Sequence, residues 1–261
     1  MNIIHAIILG VVEGITEFLP VSSTGHLILS SKLLGLTQDD FMKTFEIAIQ
    51  SGAILAVIAL YWKKFFNSNL LKKTAVAFIP TAVIGFALYK IIKNVFLSSD
   101  LIVLVALFTG GLVLILIEMW LSKRSEEGKE EVTDMANLSY KQAAIIGTAQ
   151  ALAVIPGVSR SAASIIGGRV IGLSRSLATE FSFFLAVPTI LFATLYDLKN
   201  GIGSISYDQG VILGIGLLIS FITAIFVIKL FLSYIRKHDF TVFGVYRIVV
   251  SVFLYIVLFR M

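Results

Sequence analysis

The chain has 261 residues, of which 57% are apolar and 14% are charged, with a mean hydropathy of +0.95. Soluble domains carry about 25% charged residues, so this composition excludes a water-soluble globule and indicates a membrane protein. The chain has no cysteine, which excludes thiolate catalysis, and its net charge of +5 is interpreted as a topology signal, with no nucleic-acid partner expected.

In chain order, the apolar stretches predict an all-α polytopic membrane protein. A long apolar stretch at 2–34 is interrupted at 19–26, and a second at 141–173 is interrupted at 155–161. A spanning helix needs about 20 mostly apolar residues. Six uninterrupted stretches meet this condition, namely 42–62, 73–93, 100–121, 178–197, 209–229 and 241–259.

Each interruption predicts two half-helices joined by a polar turn. Pro20 and Pro156 lack a backbone donor and disfavour helix at the preceding residue, and the Ser and Thr residues that follow favour a new helix start. Irregular backbone at membrane depth is tolerated only inside protein or beside a wet cavity, so we expect two re-entrant hairpins. The alternative is one long helix with a proline kink.

The two interrupted stretches match each other at an offset of 137 residues. This offset places Gly10 on Gly147, Glu13 on Gln150, Val21 on Val158, Ser22 on Ser159, Thr24 on Ser161 and Gly35 on Gly172. Each half contains one hairpin, which makes no net crossing, and three spans, so each half crosses the membrane an odd number of times. The second half therefore begins on the opposite side from the first, and we expect the halves 1–122 and 141–261 to form an inverted-topology repeat. A charged loop at 123–140 joins them within a single membrane domain. Such repeats place their site at the interface of the halves.

Loop charges predict the orientation. Thirteen Lys and Arg residues lie on one side, namely Lys63, Lys64, Lys72, Lys73, Lys123, Arg124, Lys129, Lys141, Arg169, Arg175, Lys229, Arg236 and Lys237. Six lie on the other, namely Lys32, Lys43, Lys90, Lys93, Lys199 and Arg260. Because positive residues concentrate on the cytoplasmic side, we expect both termini and the mouth of the first hairpin to face outward.

Glu13 and Glu17 are one helical turn apart in an otherwise apolar half-helix, so their carboxylates share a face. Ionisable residues inside a membrane segment mark function by default. Neighbouring carboxylates repel unless they share a proton or a cation, and oxygen ligands suit Mg²⁺ or Ca²⁺. We therefore expect a divalent metal here; the alternative is a structural pair satisfied by hydroxyl groups or by water.

Ser22, Ser23, Thr24 and His26 cluster where the second half-helix begins, and its free amides form an anion site. A Ser beside a His is the minimum set for an activated nucleophile, and the His can itself attack. The alternative is an N-cap at Ser22 or Ser23 with an inert His26. The neighbouring acids favour the catalytic interpretation.

The second break supplies Ser159, Arg160 and Ser161. An Arg guanidinium binds two phosphate oxygens at once, which Lys cannot do. The alternative is an ion pair between Arg160 and one of the two acids, and the two arrangements can alternate as an anion arrives. Some weaker candidates lie near span ends: Glu46 and Gln50 extend the site or reach water, and Glu118, Glu180 and Arg247 are expected to reach water.

The combined features favour phosphoryl transfer on a lipid substrate. They are two acids, a Ser/Thr/His cluster, one Arg and two converging helix starts. The alternative function is a lipid flippase or anion transporter, because inverted repeats with broken helices are typical of transporters. Phosphate release by purified protein in detergent distinguishes them, since an enzyme needs no compartments.

Two segments carry a resemblance to a known family. Glu-Gly-Ile-Thr-Glu-Phe-Leu-Pro-Val-Ser-Ser-Thr-Gly-His at 13–26 and Pro-Gly-Val-Ser-Arg-Ser-Ala-Ala-Ser at 156–164 closely resemble the signature motifs of the undecaprenyl-pyrophosphate phosphatase family of bacterial inner membranes, also known for bacitracin resistance. Length, span pattern and motif spacing agree over essentially the whole chain. Where the family usually ends its second motif in Thr, this chain has Ser164, which keeps the hydroxyl.

The resemblance implies hydrolysis of undecaprenyl pyrophosphate to undecaprenyl phosphate and inorganic phosphate, which recycles the lipid carrier for cell-wall synthesis. It also implies a divalent-metal cofactor and an active site open to the periplasmic or outer side of the cell membrane. The expected partners are this polyprenyl pyrophosphate substrate and membrane lipids, with a homodimer left open.

The motifs and the resemblance together predict a role for each candidate site residue. Catalytic residues are Glu13, Glu17, Ser23, His26 and Arg160; substrate-binding residues are Ser22, Thr24, Gln50, Ser159, Arg160 and Ser161; the metal ligands are Glu13 and Glu17. We expect Ser23 to attack the terminal phosphorus while His26 takes its proton. The alternative has His26 attack directly.

Overall fold

A computed structural model of the chain describes residues 1–88, 99–126, 131–201 and 206–259. In these ranges the chain is helical, with ten α-helices and no multi-residue strand. The helices are α1 Ile3–Thr16, α2 Ser23–Leu33, α3 Asp40–Tyr61, α4 Ser68–Ala87, α5 Asp100–Glu126, α6 Tyr140–Gln150, α7 Arg160–Val170, α8 Arg175–Gly201, α9 Tyr207–Ile235 and α10 Thr241–Phe259. Short 3₁₀ turns lie at Trp62–Phe66, Met135–Asn137 and Ala151–Val154.

Six helices, α3, α4, α5, α8, α9 and α10, are long and apolar enough to cross a membrane. This confirms the prediction of an all-α polytopic membrane protein. The second span begins at Ser68, five residues before the predicted start, because the Asn67 side chain accepts hydrogen bonds from the amides of Asn69 and Leu70. The predicted end of that span, 89–93, lies outside the described residues.

Both interrupted stretches fold back on themselves. In the first, Ala6 and Leu9 of α1 share a buried cluster with Leu27 of α2. In the second, Gly167 of α7 lies so close to Ile146 and Ala149 of α6 that a methyl group at Gly167 would contact both. The structure therefore contains two helical hairpins rather than two kinked helices, and their re-entrance into a bilayer stays a prediction.

The hairpins are built alike at the predicted offset of 137 residues. Their first helices begin at Ile3 and Tyr140, and their second helices begin at Ser23 and Arg160. The residue before each second helix has a left-handed backbone, with φ of 71° at Ser22 and 74° at Ser159. These correspondences support the repeat, and the division at 123–140 stays a prediction.

The repeat is also visible in the packing, because each hairpin packs against a span of the other half. Helix α1 packs on α9, and α6 packs on α4. Gly10 of α1 faces the carbonyl of Gly216, and Gly147 of α6 faces the carbonyl of Ala77. A side chain at either glycine would collide with that backbone, which explains why the offset pairs glycine with glycine.

The charged loop between the halves is mostly exposed at 131–139, as expected, but it is attached to the protein. The Val132 amide donates to the carbonyl of Gly172 at 2.8 Å, and the Ser174 amide donates to the carbonyl of Val132 at 2.9 Å. The buried Lys73 ammonium donates to the carbonyls of Met135 and Ala136. These bonds anchor the loop to α4 and to the end of the second hairpin.

Candidate active site

The breaks of the two hairpins meet in the interior. Phe18 in the first break is buried, and its ring packs edge-on against Phe183 of α8 with the centroids 5.1 Å apart. The Ser161 hydroxyl, at the start of α7, donates to the carbonyl of Leu19 at 2.8 Å. The starts of α2 and α7 are therefore held beside each other, where their polar residues can act together.

Glu17 is the centre of the polar cluster. Its Oε1 accepts from Nη2 of Arg160 at 2.7 Å, and its Oε2 accepts from the Ser23 hydroxyl at 2.8 Å. The side chains of Glu17 and Arg160 are 6% and 11% exposed, so solvent screens this ion pair little. The structure thus brings together three predicted site residues from two hairpins, in the ion-paired arrangement considered from the sequence.

Glu13 lies one turn before Glu17 and is completely buried. Among the described residues, neither of its carboxylate oxygens has a hydrogen-bond donor. The charges of Glu17, Glu46 and Arg160 all act on it, and the first two repel it. A buried carboxylate without a donor needs a proton or a cation, so this donor set fits an oxygen-coordinated divalent ion. No group of three possible metal-binding side chains occurs in the described ranges, so substrate oxygens would complete such a site.

The start of α2 leaves amides free for a ligand. Ser22 precedes this helix in the left-handed backbone region, and its side chain does not cap the helix. The predicted alternative of a Ser22 cap is therefore wrong. Ser159, in the equivalent position, does cap α7, because its hydroxyl accepts from the Ala162 amide at 3.2 Å. The two helix starts thus differ, and the amides of α2 are the better anion donors. Ser23 and Thr24 on this turn are half-buried.

The ring nitrogens of His26 are hydrogen-bonded to groups other than the Ser23 hydroxyl. Its Nδ1 lies 2.8 Å from the Ser22 carbonyl, and its Nε2 lies 2.7 Å from the Tyr246 hydroxyl. Both ring nitrogens are therefore engaged elsewhere. The expectation that His26 takes the Ser23 proton is not matched in this arrangement, where the Ser23 hydroxyl donates to Glu17 instead.

Gln50 is half-buried on α3, one turn after Glu46. Within the described part of the chain, no hydrogen bond connects the Gln50 amide to either hairpin. Glu46 accepts hydrogen bonds from Ser31 and Gln38. Gln50 therefore has no direct bond to the polar cluster, and its role in substrate binding stays a prediction.

Ser182 of α8 belongs to the cluster but was missed from the sequence. Nη1 of Arg160 donates to the Ser182 carbonyl at 3.0 Å and lies 3.3 Å from its hydroxyl. The hydroxyls of Ser182 and Ser164 are 2.7 Å apart, within hydrogen-bond distance. Ser164 therefore uses its hydroxyl, the group that it has in common with the Thr usual at this position of the family motif. A lone Ser within an apolar span gives no sequence signal for such a role.

Arg247 was misjudged from the sequence, because it does not reach water. It is fully buried on α10, and its five donor positions face five backbone carbonyls. These are Pro20, Gly157 and Val158 in the two breaks and Ala106 and Leu107 in α5, at 2.8 to 3.3 Å. A guanidinium has five N–H donors, so Arg247 satisfies the carbonyls that the two breaks leave unpaired.

Glu118 also departs from the expectation that it reaches water. Its side chain is 3% exposed and pairs with Arg175 at 2.7 Å. Glu180 pairs with Lys64 at the surface. Both acids therefore serve ion pairs away from the polar cluster.

Comparison with known proteins identifies one matching family and several relatives that share the same name. The family model described as "Bacitracin resistance protein BacA" matches residues 6–253. A protein of Persephonella marina named undecaprenyl-diphosphatase is 50% identical over 260 residues, covering 99% of this chain and 100% of the relative. Proteins with the same name from Wolinella succinogenes and Sulfurihydrogenibium sp. are 50% and 47% identical, covering 97% and 98% of this chain and 96% and 99% of those relatives. This chain therefore belongs to the bacitracin resistance protein BacA family.

Proposed function

We propose that this chain is an undecaprenyl-diphosphatase, which hydrolyses undecaprenyl pyrophosphate to undecaprenyl phosphate and inorganic phosphate. This reaction recycles the lipid carrier for cell-wall synthesis and confers bacitracin resistance. The observation that carries the proposal is the contact of Ser23, Glu17 and Arg160 inside an apolar protein. It combines a hydroxyl nucleophile, a proton acceptor and a phosphate-binding cation. The relatives that carry this enzyme's name over nearly their whole lengths support it.

Arg160 binds the pyrophosphate in this proposal. Its guanidinium exchanges Glu17 for a phosphate oxygen, while Nη1 stays bound to Ser182. The free amides at the start of α2, next to Ser22 and Thr24, bind further oxygens. Ser159 and Ser161 hold the start of α7 in place, since one caps the helix and the other is bound to Leu19.

Ser23 attacks the terminal phosphorus. The new Ser23–phosphorus bond forms as the anhydride bond to the lipid phosphate breaks, and the proton of Ser23 moves to Glu17, which already accepts it in a hydrogen bond. Release of Glu17 from Arg160 by the incoming anion makes the carboxylate a stronger base. Undecaprenyl phosphate is the leaving group.

Water completes the cycle by attacking phosphoserine 23. Its proton passes to a base in the site, the serine–phosphorus bond breaks, and Ser23 regains its proton as inorganic phosphate leaves. His26 is the candidate for this base, because Glu17 holds the proton taken from Ser23 and returns it to the serine oxygen as that oxygen leaves. Direct attack by His26 is the alternative, and it requires Nε2 to leave Tyr246 first.

Glu13 and Glu17 would hold a divalent ion, Mg²⁺ or Ca²⁺, together with substrate oxygens. When bound, such an ion neutralises pyrophosphate charge. The two unpartnered oxygens of the buried Glu13 carboxylate support this assignment.

The protein is a multi-pass membrane protein, and we place it in the bacterial cell membrane with the site open to the periplasmic or outer side. The excess of loop Lys and Arg on the opposite side supports this orientation. The substrate then enters from the lipid as a polyprenyl pyrophosphate. A homodimer stays a prediction.

Phosphate release from undecaprenyl pyrophosphate by purified protein in detergent tests the proposed function. An enzyme releases phosphate without any compartment. A flippase or anion transporter releases none in detergent and moves its cargo in sealed vesicles, and that pair of results would overturn the proposal.

A further inference from the structure

Tyr246 on α10 is the nearest partner of the His26 imidazole. The two rings are stacked, with centroids 5.5 Å apart and planes 6° from parallel, and the Tyr246 hydroxyl lies 2.7 Å from Nε2. His26 is 8% exposed, so water does not supply alternative partners freely. The orientation of the imidazole is therefore fixed by the protein.

The hydrogen bonds determine which nitrogen carries the proton. A carbonyl only accepts, so Nδ1, at 2.8 Å from the Ser22 carbonyl, must be the protonated nitrogen. A second proton on Nε2 would place an unpaired positive charge in a buried position, because neither the Ser22 carbonyl nor the Tyr246 hydroxyl is an anion. In the neutral ring Nε2 accepts, and the Tyr246 hydroxyl donates to it.

We propose that Tyr246 is a positioning residue for the phosphatase reaction: its hydroxyl holds neutral His26 with Nδ1 protonated and the lone pair of Nε2 available. The inference rests on the proposed function. Tyr246 is half-exposed, so its hydroxyl can turn away when the pyrophosphate enters and release Nε2 towards the substrate or the attacking water. Until then, Nε2 is bound to the Tyr246 hydroxyl.

Tyr246→Phe tests this role, because it removes the hydroxyl and keeps the stacked ring. We expect kcat for undecaprenyl pyrophosphate to fall about tenfold, equivalent to 1.36 kcal/mol, with KM little changed. Tyr255→Phe is the matched control, since Tyr255 lies on the same helix, 46% exposed, against Phe259. Wild-type kcat in Tyr246→Phe would overturn the proposal.

A spectroscopic measurement tests the geometry independently of activity. The chain has three histidines, so His5→Gln and His238→Gln leave His26 as the only one for ¹⁵N NMR of its ring. We expect a protonated Nδ1 and an unprotonated, hydrogen-bonded Nε2, whose resonance moves to the unbonded position in Tyr246→Phe. A protonated Nε2, or a resonance that Tyr246→Phe leaves unchanged, contradicts the inference. A wild-type protein that releases no phosphate overturns the proposed function instead, whatever the spectrum.

Discussion

Nη2 of Arg160 lies 2.7 Å from Oε1 of Glu17, and this buried ion pair joins the two hairpins at their breaks. Desolvation makes a buried pair a weak source of stability, which suggests a role beyond folding. An anionic ligand competes with Glu17 for the guanidinium. Binding of pyrophosphate therefore frees the carboxylate next to Ser23 at the moment when a base is needed.

Arg160→Lys should lower kcat/KM about 100-fold, in the range seen when one transition-state donor is removed. Lysine carries a positive charge but cannot bind Ser182 and a phosphate oxygen in the planar, two-pronged geometry of arginine. Steady-state phosphate release measures the change. Arg236→Lys, at an exposed position, is the control. Turnover near that of the wild type would argue against bidentate binding by Arg160.

A phosphorylated intermediate should form on Ser23. Acid quenching during a single turnover, followed by peptide mass spectrometry, should find an acid-stable phosphate on the peptide that contains this residue. Ser23→Ala should abolish it. Acid-labile phosphohistidine at His26, retained in Ser23→Ala, would establish the alternative nucleophile.

Metal chelation should abolish phosphate release, and Mg²⁺ or Ca²⁺ should restore it. Glu13→Gln should raise the metal concentration for half-maximal activity about tenfold or more, because it removes one charged ligand. Titration of the metal-free enzyme measures this shift. An unchanged metal titration in Glu13→Gln would exclude Glu13 as a ligand.

Arg247→Lys should lower the free energy of unfolding by about 2–6 kcal/mol, the cost of leaving two buried carbonyls without a donor. Lysine has three donors, so at least two of the five buried carbonyls lose their partner, at about 1–3 kcal/mol each. Thermal unfolding in detergent measures the effect.

Gly110→Ala should act in the same direction, since its methyl group would collide with the Arg247 guanidinium. Gly85→Ala is the control, because no atom lies within 4 Å of its added methyl group. If Arg247→Lys unfolds at the same temperature as the wild type, Arg247 does not hold the breaks together.

The sequence predicts much of this architecture for a physical reason. Spans are visible because lipid requires about 20 apolar residues, and Glu13, Glu17 and Arg160 stand out because charges in such segments are rare. The hairpins are visible because Pro20 and Pro156 interrupt helices within apolar stretches.

The remaining contacts depend on tertiary packing. Ser23 and His26 are close in sequence, but the Ser22 carbonyl binds the imidazole and Glu17 binds the hydroxyl from across the break. Arg247 is a similar case, because its acceptors are backbone carbonyls, which no residue type reveals.

The most direct test compares metal-dependent phosphate release from undecaprenyl pyrophosphate by the wild type, Glu17→Ala and Arg160→Ala, all purified in detergent. Residues from both hairpins form one site in our account, so the wild type should be active and each variant should lose at least about 100-fold in kcat/KM. Substantial activity in either variant, with both proteins folded, would contradict a catalytic centre shared by the two breaks.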